Sequence, residues 1–279
     1  MLRSRIPLAA AVAAAGLLAV ASSVAAGATT ARHPLIRPPA NIKKAGRIVY
    51  CSDITYPPEE FYRGAKAVGS DIDIGTNIAK RMGVRAKFVN TTFDSIIPAL
   101  LSKKCDAIIS GMNDNAQRRK QVNFVDYISV GQSFMVAKGN PRHINKVTDL
   151  SGKTAGVESG TTNKDYLDKL SAKLMSEGKK GITIVTFPKD TDAATALRAG
   201  KIDAYFADTP VVAYYVSNNP KLFAFGGKTV NPIPVGIALR KQEKQLRTAT
   251  QTAVNQMYRD GTMRRILAKW KMSSTALRK

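Results

Sequence analysis

The chain has 279 residues, of which 44% are hydrophobic and 23% are charged, proportions that are typical of a globular protein and exclude a disordered one. This length allows one large domain or two modest ones. Lys and Arg together number 43 against 20 acidic residues, so the formal net charge is +23 and we expect a basic surface. Two cysteines exclude a cysteine-rich zinc site and two histidines exclude a multi-histidine centre, so we expect no metal and no cofactor.

The first 28 residues differ in composition from the rest. Arg3 and Arg5 precede an uncharged run over 6–21 that is rich in Ala, Leu and Val, and small residues follow it. This pattern predicts a secretory signal peptide over 1–28 rather than a membrane anchor, because the run is short and only weakly hydrophobic. No Cys stands at the cleavage site, so we expect a periplasmic protein without a lipid anchor. Residues 29–46 carry three prolines, lack periodicity and are predicted to form a flexible leader.

From Arg47 onward, short apolar runs alternate with amphipathic helical patterns, which is typical of a parallel α/β sheet. Strands are predicted over 48–50, 86–89, 106–110, 154–157, 182–187, 204–207 and 235–239. Helices are predicted over 71–82, 93–102, 161–175 and 191–198, after the sixth strand as far as Val216, and over 242–259 and 262–270.

A short repeat indicates that the chain has two similar halves. Residues 99–107 and 196–204 share the pattern A-L-x-x-x-K-x-D-A, each at a helix end, a turn and the start of a strand. Gly111 and Asp208 follow the two copies at equivalent positions, at the carboxyl ends of strands, where open α/β sheets bind ligands. The simplest interpretation is two α/β lobes that face one another across a cleft.

Two segments could bind a carboxylate. Arg118 stands in a basic run that follows Gly111 and Asn113, and an Arg guanidinium can hold a carboxylate by two charge-assisted hydrogen bonds. A solvated basic helix face is the alternative. Thr161 and Thr162 open a predicted helix, where free backbone N–H groups and hydroxyls can bind an anion. Ordinary N-capping is the alternative there.

An acidic residue and two aromatic residues could contact the rest of a ligand. Asp208 precedes a predicted helix, so it could either cap that helix or bind an ammonium group. Tyr56 and Phe93 follow strand ends in the first half and could enclose an apolar or planar group, with burial in the core as the alternative. Together with the carboxylate binders, these residues supply what an α-amino acid requires.

A cluster of acids also lies near the first strand. Asp53, Glu59 and Glu60 fall within eight residues of one another in a chain that has twice as many basic as acidic residues. This clustering indicates a cationic ligand side chain as the target, and surface solvation is the alternative. For Asp53, hydrogen bonds to the backbone of its own turn are a further alternative.

Several motifs follow one another in an order that is specific to one family. They are Tyr56-Pro57-Pro58, 69–73, 93–100, 106–112, Arg118 with 122–124, 160–162, Asp203-Ala204, Asp208, and Asp260-Gly261 with Lys269-Trp270. Across about residues 47–272 the sequence thereby resembles the family 3 extracytoplasmic solute-binding proteins, the polar amino acid receptors of ABC importers. The resemblance implies a two-lobe periplasmic-binding-protein fold, each lobe a mainly parallel sheet flanked by helices. It also implies a protein that closes on an amino acid and delivers it to an ABC transporter membrane permease.

The resemblance assigns roles to individual residues. Arg118, Thr161 and Thr162 match the carboxylate contacts, Asp208 the ammonium ligand, Tyr56 and Phe93 the aromatic walls, and Gly111 and Asn113 further contacts through backbone and a small polar side chain. Asp53 falls where receptors for lysine, arginine or ornithine place an acid. Glu59 departs from the pattern, since an aromatic residue is common at its position.

The implied lobes have definite boundaries. We expect lobe 1 to comprise 47–131 plus 235–279 and lobe 2 to comprise 133–228, with hinge crossings near 132–136 and 230–234. Cys51 lies at the carboxyl end of one predicted strand and Cys105 at the amino end of another. These are opposite ends of parallel strands, so we expect no disulfide.

The sequence suggests three classes of function. A transport receptor, monomeric and without catalytic chemistry, is the leading hypothesis. A periplasmic enzyme on the same fold, a dehydratase of a cyclic amino acid precursor, is the alternative, and it would need a general acid or base such as Glu59. Nucleic-acid binding, suggested by the net charge, is disfavoured by the export signal and by the spread of basic residues along the chain.

Overall fold

The structure of the protein is a computed structural model that describes residues 36–277. Its helices are α1 (Ala40–Ala45), α2 (Ser70–Arg81), α3 (Ile96–Leu101), α4 (Ala116–Arg119), α5 (Thr162–Ser176), α6 (Asp190–Arg198), α7 (Thr209–Asn218), α8 (Lys244–Arg259) and α9 (Thr262–Lys269). Its strands are β1 (Arg47–Ser52), β2 (Thr55–Tyr56), β3 (Glu60–Arg63), β4 (Lys66–Val68), β5 (Arg85–Asn90), β6 (Ala107–Ile108), β7 (Val122–Ala137), β8 (Thr154–Glu158), β9 (Thr183–Phe187), β10 (Ala204–Asp208), β11 (Phe223–Phe225) and β12 (Val230–Arg240). The predicted signal peptide over 1–28 lies outside the described residues.

The predicted alternation of strands and helices is present, with element ends that differ by a few residues from the predicted ones. Helix α2 illustrates the physical reason. Ile74 and Ile78 stand four residues apart and are both fully buried, which is the spacing that places side chains on one helix face. Acidic residues occupy the first turn of α2 and basic residues its last turn, so its charges suit the helix dipole.

Nine strands of the described chain form one continuous sheet in the order β5-β1-β6-β12-β7-β10-β8-β9, with β11 paired to β7. Strand β1 is parallel to β5 and β6, and β8 is parallel to β9 and β10. Strands β12 and β7 lie between these two parallel sets and are antiparallel to each other and to their outer neighbours. The predicted α/β fold class, with mainly parallel strands in each half and flanking helices, is thereby confirmed.

Helices cover both faces of each parallel set. Beside β1 and β6, helices α2, α8 and α9 contribute to the core on one face and α3 on the other. Beside β8 and β10, helices α6 and α7 pack on one face and α5 on the other. The carboxyl ends of the parallel strands are left for loops and helix starts. No helix within 36–277 is long and apolar enough to cross a membrane.

Two features of the fold go beyond the predicted elements. Strand β7 is 16 residues long, and buried residues stand next to one another in it, so it lacks the period of two that marks a half-buried strand. Residues 55–68 form a second, three-stranded sheet in the order β2-β3-β4. No strand is predicted there, and Pro57 and Pro58 are residues that are typical of turns rather than of strands.

Part of the predicted flexible leader is ordered. Residues 40–45 form α1, the Ile42 side chain is 2% exposed in the core, and the backbone N–H of Ile36 donates to the carbonyl of Arg81 at 2.9 Å. The prediction of a flexible leader over 29–46 is therefore wrong for its described part. One buried apolar side chain in a six-residue helix gives no period that a sequence pattern can show.

Cys51 and Cys105 form a disulfide, so the prediction of two separate cysteines is wrong. In the parallel pair of β1 and β6, Cys51 lies opposite Ile108. Cys105, however, stands in the turn between α3 and β6 rather than in the strand. That turn folds over the sheet face that carries the Cys51 side chain, since both cysteines pack in one buried cluster with Leu100. Their Cα atoms are 5.6 Å apart.

Candidate functional site

The predicted site residues lie at the carboxyl ends of parallel strands. Asp53 follows β1, Gly111 and Asn113 follow β6, Asp208 ends β10, and Thr161 stands between β8 and α5. Hydrogen bonds join residues from both parallel sets here. The structure thus brings together side chains that are distant in the sequence.

Arg118 is a buried cation at the centre of this region, with 7% of its surface exposed. Its Nη1 donates to the carbonyl oxygen of Asn113 at 2.7 Å, and its Nη2 donates to the carbonyl oxygen of Gly160 at 3.0 Å. The guanidinium carbon lies 5.2 Å from the centre of the Phe93 ring. Burial lowers the pKa of Arg118 from its ordinary value. The neighbouring Arg119 differs, because its side chain is 62% exposed and pairs with Asp114.

Asp208 is a buried anion beside this cation. Its two carboxylate oxygens accept hydrogen bonds from the Nδ2 groups of Asn113 and Asn163, each at 3.2 Å. Its backbone N–H donates to the hydroxyl of Tyr56 at 3.2 Å. Although Asp208 precedes α7, its side chain makes no capping hydrogen bond. Burial raises the pKa of Asp208 to about 6.

The two threonines have different partners. Thr161 is the N-cap of α5, since its hydroxyl accepts from the backbone N–H of Lys164 at 3.3 Å. The Thr162 hydroxyl instead donates to Oδ1 of Asn113 at 2.5 Å and accepts from Nε2 of Gln132 at 3.3 Å. Asn113 therefore contacts Arg118, Asp208 and Thr162 at once.

The two aromatic residues adjoin different buried charges, Phe93 beside Arg118 and Tyr56 beside Asp208. Phe93 is half-buried against Arg118. Tyr56 is 7% exposed and packs in the core beside α6 and α7. Gly111 leaves room for the Tyr56 ring, because a Cβ at Gly111 would lie 3.0 Å from ring atom Cδ1. The φ angle of Gly111 is +47°, which also favours glycine.

Asp53 is buried and its carboxylate is already hydrogen-bonded within its surroundings. Oδ1 accepts from the Thr55 hydroxyl at 2.7 Å, and Oδ2 accepts from the backbone N–H of Phe93 at 2.8 Å. Its own N–H donates to the Ser110 hydroxyl at 2.8 Å. Burial raises the pKa of Asp53. The Asp53 carboxylate thus bonds a hydroxyl of its own turn and a backbone N–H of another segment, not the backbone of its own turn, and its role toward a ligand stays a prediction.

The expectation that Glu59 and Glu60 could be surface acids is wrong, since they are 1% and 0% exposed. Oε1 of Glu60 accepts from the Ser110 hydroxyl at 2.8 Å. Burial holds the pKa of both carboxyls well above the ordinary value. The pKa of the Tyr56 hydroxyl is raised well above its ordinary value. Burial is the largest cause, followed by the nearby carboxyl groups of Asp208, Asp190, Glu59 and Glu158.

Some residues of this region are not apparent from the sequence pattern. They are Asp71, Gln132, Glu158, Asn163 and Asp190, all buried. Glu158 and Asn163 carried a usable signal, because Glu158 directly follows the predicted strand 154–157 at the ligand-binding edge and Asn163 lies in the first turn of the following helix. Asp71 and Asp190 are acids of amphipathic helices, and only the tertiary contacts with Tyr127 and Tyr205 show that they are buried. No group of residues that could hold a metal ion occurs in the described part of the chain.

Residues 48–273 match the family model of the bacterial extracellular solute-binding proteins, family 3. The chain belongs to this family. The ABC transporter arginine-binding protein 1 of Escherichia coli (strain K12) is 32% identical over 231 residues, which are 81% of this chain and 91% of that protein. The histidine-binding periplasmic protein of Salmonella typhimurium (strain LT2) is 32% identical over 227 residues, which are 78% of this chain and 85% of that protein.

A solved structure of a similar protein shares the fold of this chain. An ancestral arginine-binding protein bound to arginine has a TM-score of 0.75 and is 36% identical, covering 81% of this chain and 98% of its own. The predicted resemblance to family 3 is therefore confirmed. These relatives are binding proteins and not enzymes, which confirms the expectation of a receptor over the dehydratase alternative.

Proposed function

We propose that this family 3 protein is an exported receptor that binds an amino acid between two lobes and delivers it to the permease of an ABC importer. The observation that carries the proposal is the arrangement around Asn113. Its backbone carbonyl accepts from Arg118, while its side-chain amide donates to Asp208. A buried cation and a buried anion therefore flank one residue, and they complement the carboxylate and the ammonium that an α-amino acid carries on one carbon.

Lobe closure is part of the proposal, with lobes at 47–131 plus 235–279 and at 133–228. Four hydrogen bonds join the proposed lobes: Arg118 to Gly160, Asn113 to Asp208, Thr162 to Asn113, and Asp208 to Tyr56. All four involve residues assigned to ligand binding, so a ligand held by them would also hold the lobes together. The proposed crossings near 132–136 and 230–234 fall in β7 and β12. The β7–β12 pairing has a register shift between Val230 and Ile233, and such irregularities let a strand bend.

The side chain of the ligand is proposed to be cationic. Asp53, Glu59, Glu158, Asp190 and Asp208 are all buried here, against the single buried cation Arg118 among the contacts above. Uncompensated buried carboxylates are unfavourable by several kcal/mol, so a positively charged ligand would stabilise the closed form. The arginine- and histidine-binding relatives agree with this direction.

The decisive measurement is calorimetry of the full chain with the twenty amino acids and ornithine. Arginine, lysine, ornithine or histidine is expected to bind more tightly than leucine or glutamate, which lack the positive side chain. Absence of binding by any amino acid would contradict the receptor function, while preference for leucine or glutamate would contradict only the cationic ligand. Small-angle scattering is expected to show compaction with the bound ligand, because closure shortens the molecule.

Export and oligomeric state are separate proposals with their own measurements. We expect the exported protein to begin after the signal peptide over 1–28. Mass spectrometry of the protein released from the periplasm determines its first residue. A monomer without affinity for DNA is expected by light scattering and by a DNA-retention assay at low salt, where basic proteins bind non-specifically.

A further inference from the structure

Among the described acids of proposed lobe 2, Glu158 is the one whose buried carboxylate oxygen has no hydrogen-bond partner. Its Oε1 is buried and has no hydrogen-bond partner among the described residues, and the residue is 3% exposed. Oε2 of Glu59 and Oε2 of Glu60 are also unpartnered. Glu60 is bound through its other oxygen to Ser110.

Three of the neighbouring acids, Asp190, Asp208 and Asp53, already accept hydrogen bonds from protein donors on both carboxylate oxygens. Asp190 accepts from the hydroxyls of Tyr205 and Tyr215. Asp208 accepts from Asn113 and Asn163. As described above, both oxygens of Asp53 accept local hydrogen bonds. A buried carboxylate oxygen without a donor is unfavourable, so the free oxygen of Glu158 indicates a group that the protein does not supply.

The turn after Glu158 contacts the segment of proposed lobe 1 that is hydrogen-bonded to Asp53. Glu158 ends β8, and the following turn contacts lobe 1 directly: a Cβ on Gly160 would lie 3.0 Å from the Cα of Asp94. Asp94 adjoins Phe93, whose N–H donates to Asp53. After burial and Asp190, the Asp53 carboxyl is the next cause that raises the pKa of Glu158. Lys189 is the positive residue that lowers the pKa of Asp53, and it is exposed at the start of α6.

We infer that Glu158 receives the side-chain cation of the ligand, with Asp53 facing it across the cleft, so that closure itself selects for positive charge. The inference deepens the proposed receptor function and rests on it. Arg118, Asn113 and Asp208 bind groups that every α-amino acid has, so they do not distinguish one side chain from another. Closing brings the Glu158 and Asp53 carboxyl groups together, which is unfavourable, through repulsion or through forced protonation, unless a cation lies between them. A neutral amino acid leaves this free-energy cost uncompensated.

The test compares a cationic ligand with a neutral analogue of nearly the same shape. Arginine and citrulline share the α-carboxylate and α-ammonium, and differ in that a urea group replaces the guanidinium. Lysine and norleucine form a second pair, and the pair with the tighter-binding cation is used. Calorimetry is run on the full chain, on Glu158→Gln, and on the control Asp94→Asn, which neutralises an exposed acid on the same rim.

In the wild type, the cation is expected to bind about 10 to 100 times more tightly than its neutral analogue, the range for a hydrogen bond to a charged group. Glu158→Gln is expected to reduce this ratio at least about tenfold, and Asp94→Asn to leave it within about twofold, because an exposed charge is screened. Small-angle scattering is expected to show wild-type compaction with the cation alone, and compaction of Glu158→Gln with both ligands.

A Glu158→Gln variant that keeps the wild-type ratio would overturn the inference, as would an equal loss in Asp94→Asn. Equal wild-type affinity for the two ligands would also overturn it while leaving the receptor function intact. Failure of both ligand pairs and of every amino acid to bind would instead contradict the proposed function. Circular dichroism checks the fold, and Glu158→Leu replaces Glu158→Gln if the latter does not fold.

Discussion

Arg118 provides the sharpest test of the proposed site, because its neighbour Arg119 is a matched control. Arg118→Ala would leave a ligand carboxylate without its guanidinium, and truncating one partner of a buried charge pair weakens binding by roughly 2–5 kcal/mol. That range corresponds to a loss of affinity of about 30-fold to about 5,000-fold. The same change frees the carbonyls of Asn113 and Gly160, which Arg118 now bonds at 2.7 and 3.0 Å. Each buried carbonyl left without a donor destabilises the fold by roughly 1–3 kcal/mol.

Arg119→Ala separates these two effects. It removes an exposed guanidinium from Asp114, whose side chain is 0% exposed, so the free energy of unfolding is expected to fall while affinity is retained. Calorimetry measures affinity and urea denaturation measures stability, both on the two variants and on Arg118→Lys. Lys keeps the charge but loses the planar fork, so an intermediate affinity is expected. Equal affinity losses for Arg118→Ala and Arg119→Ala would refute the assignment of Arg118.

Three further predictions concern stability. The two disulfide-bonded cysteines are 54 residues apart. Replacing both with Ser is expected to lower the free energy of unfolding by about 4 kcal/mol, because the unfolded chain gains loop entropy. An unchanged midpoint of urea denaturation would contradict this prediction. Gly111→Ala is expected to lower both the melting temperature and ligand affinity, because the added Cβ would press on the Tyr56 ring. The control Gly178→Ala is also at positive φ but lies in open space, so it should lower stability slightly and leave affinity unchanged. Burial raises the pKa of Asp71 from 3.8 to about 6, so the folded protein binds more protons than the unfolded chain between these values, and stability falls as pH rises through them. Relative to Asp71→Asn, the wild type should therefore lose up to roughly 3 kcal/mol between about pH 4 and about pH 6; a relative gain would show that the sign is wrong.

The sequence predicts most of the framework because the framework depends on local patterns. The strands and helices follow from apolar runs and from spacings such as Ile74 to Ile78, and the edge that carries Asp208 follows from the parallel arrangement. Strand β7 is not predicted, because it is buried on both faces and therefore lacks the alternation that marks a half-buried strand. The disulfide is not predicted either, because Cys105 reaches Cys51 through the tertiary packing of α3 and the following turn on the sheet, which no local pattern shows.

The sequence predicts Arg118 and Asp208 of the candidate site, but it does not predict which of the other acids are buried. Arg118 and Asp208 stand in recognisable motifs at strand ends. Whether a carboxyl is buried depends on distant donors, as for Asp71, which accepts from the hydroxyl of Tyr127 at 2.7 Å. Glu59 reads equally well as a surface acid until the fold encloses it.

The disulfide joins the two strand regions that lead directly into the site. Cys51 lies two residues before Asp53, and Cys105 precedes β6, whose end leads to Gly111 and Asn113. We therefore expect oxidation of the two thiols to influence the geometry of the binding edge as well as global stability. Recombinant material made in a reducing cytoplasm would lack this cross-link, and its first-lobe edge would fluctuate more. Affinities obtained from such preparations would underestimate those of the oxidised protein, even when both preparations are fully folded.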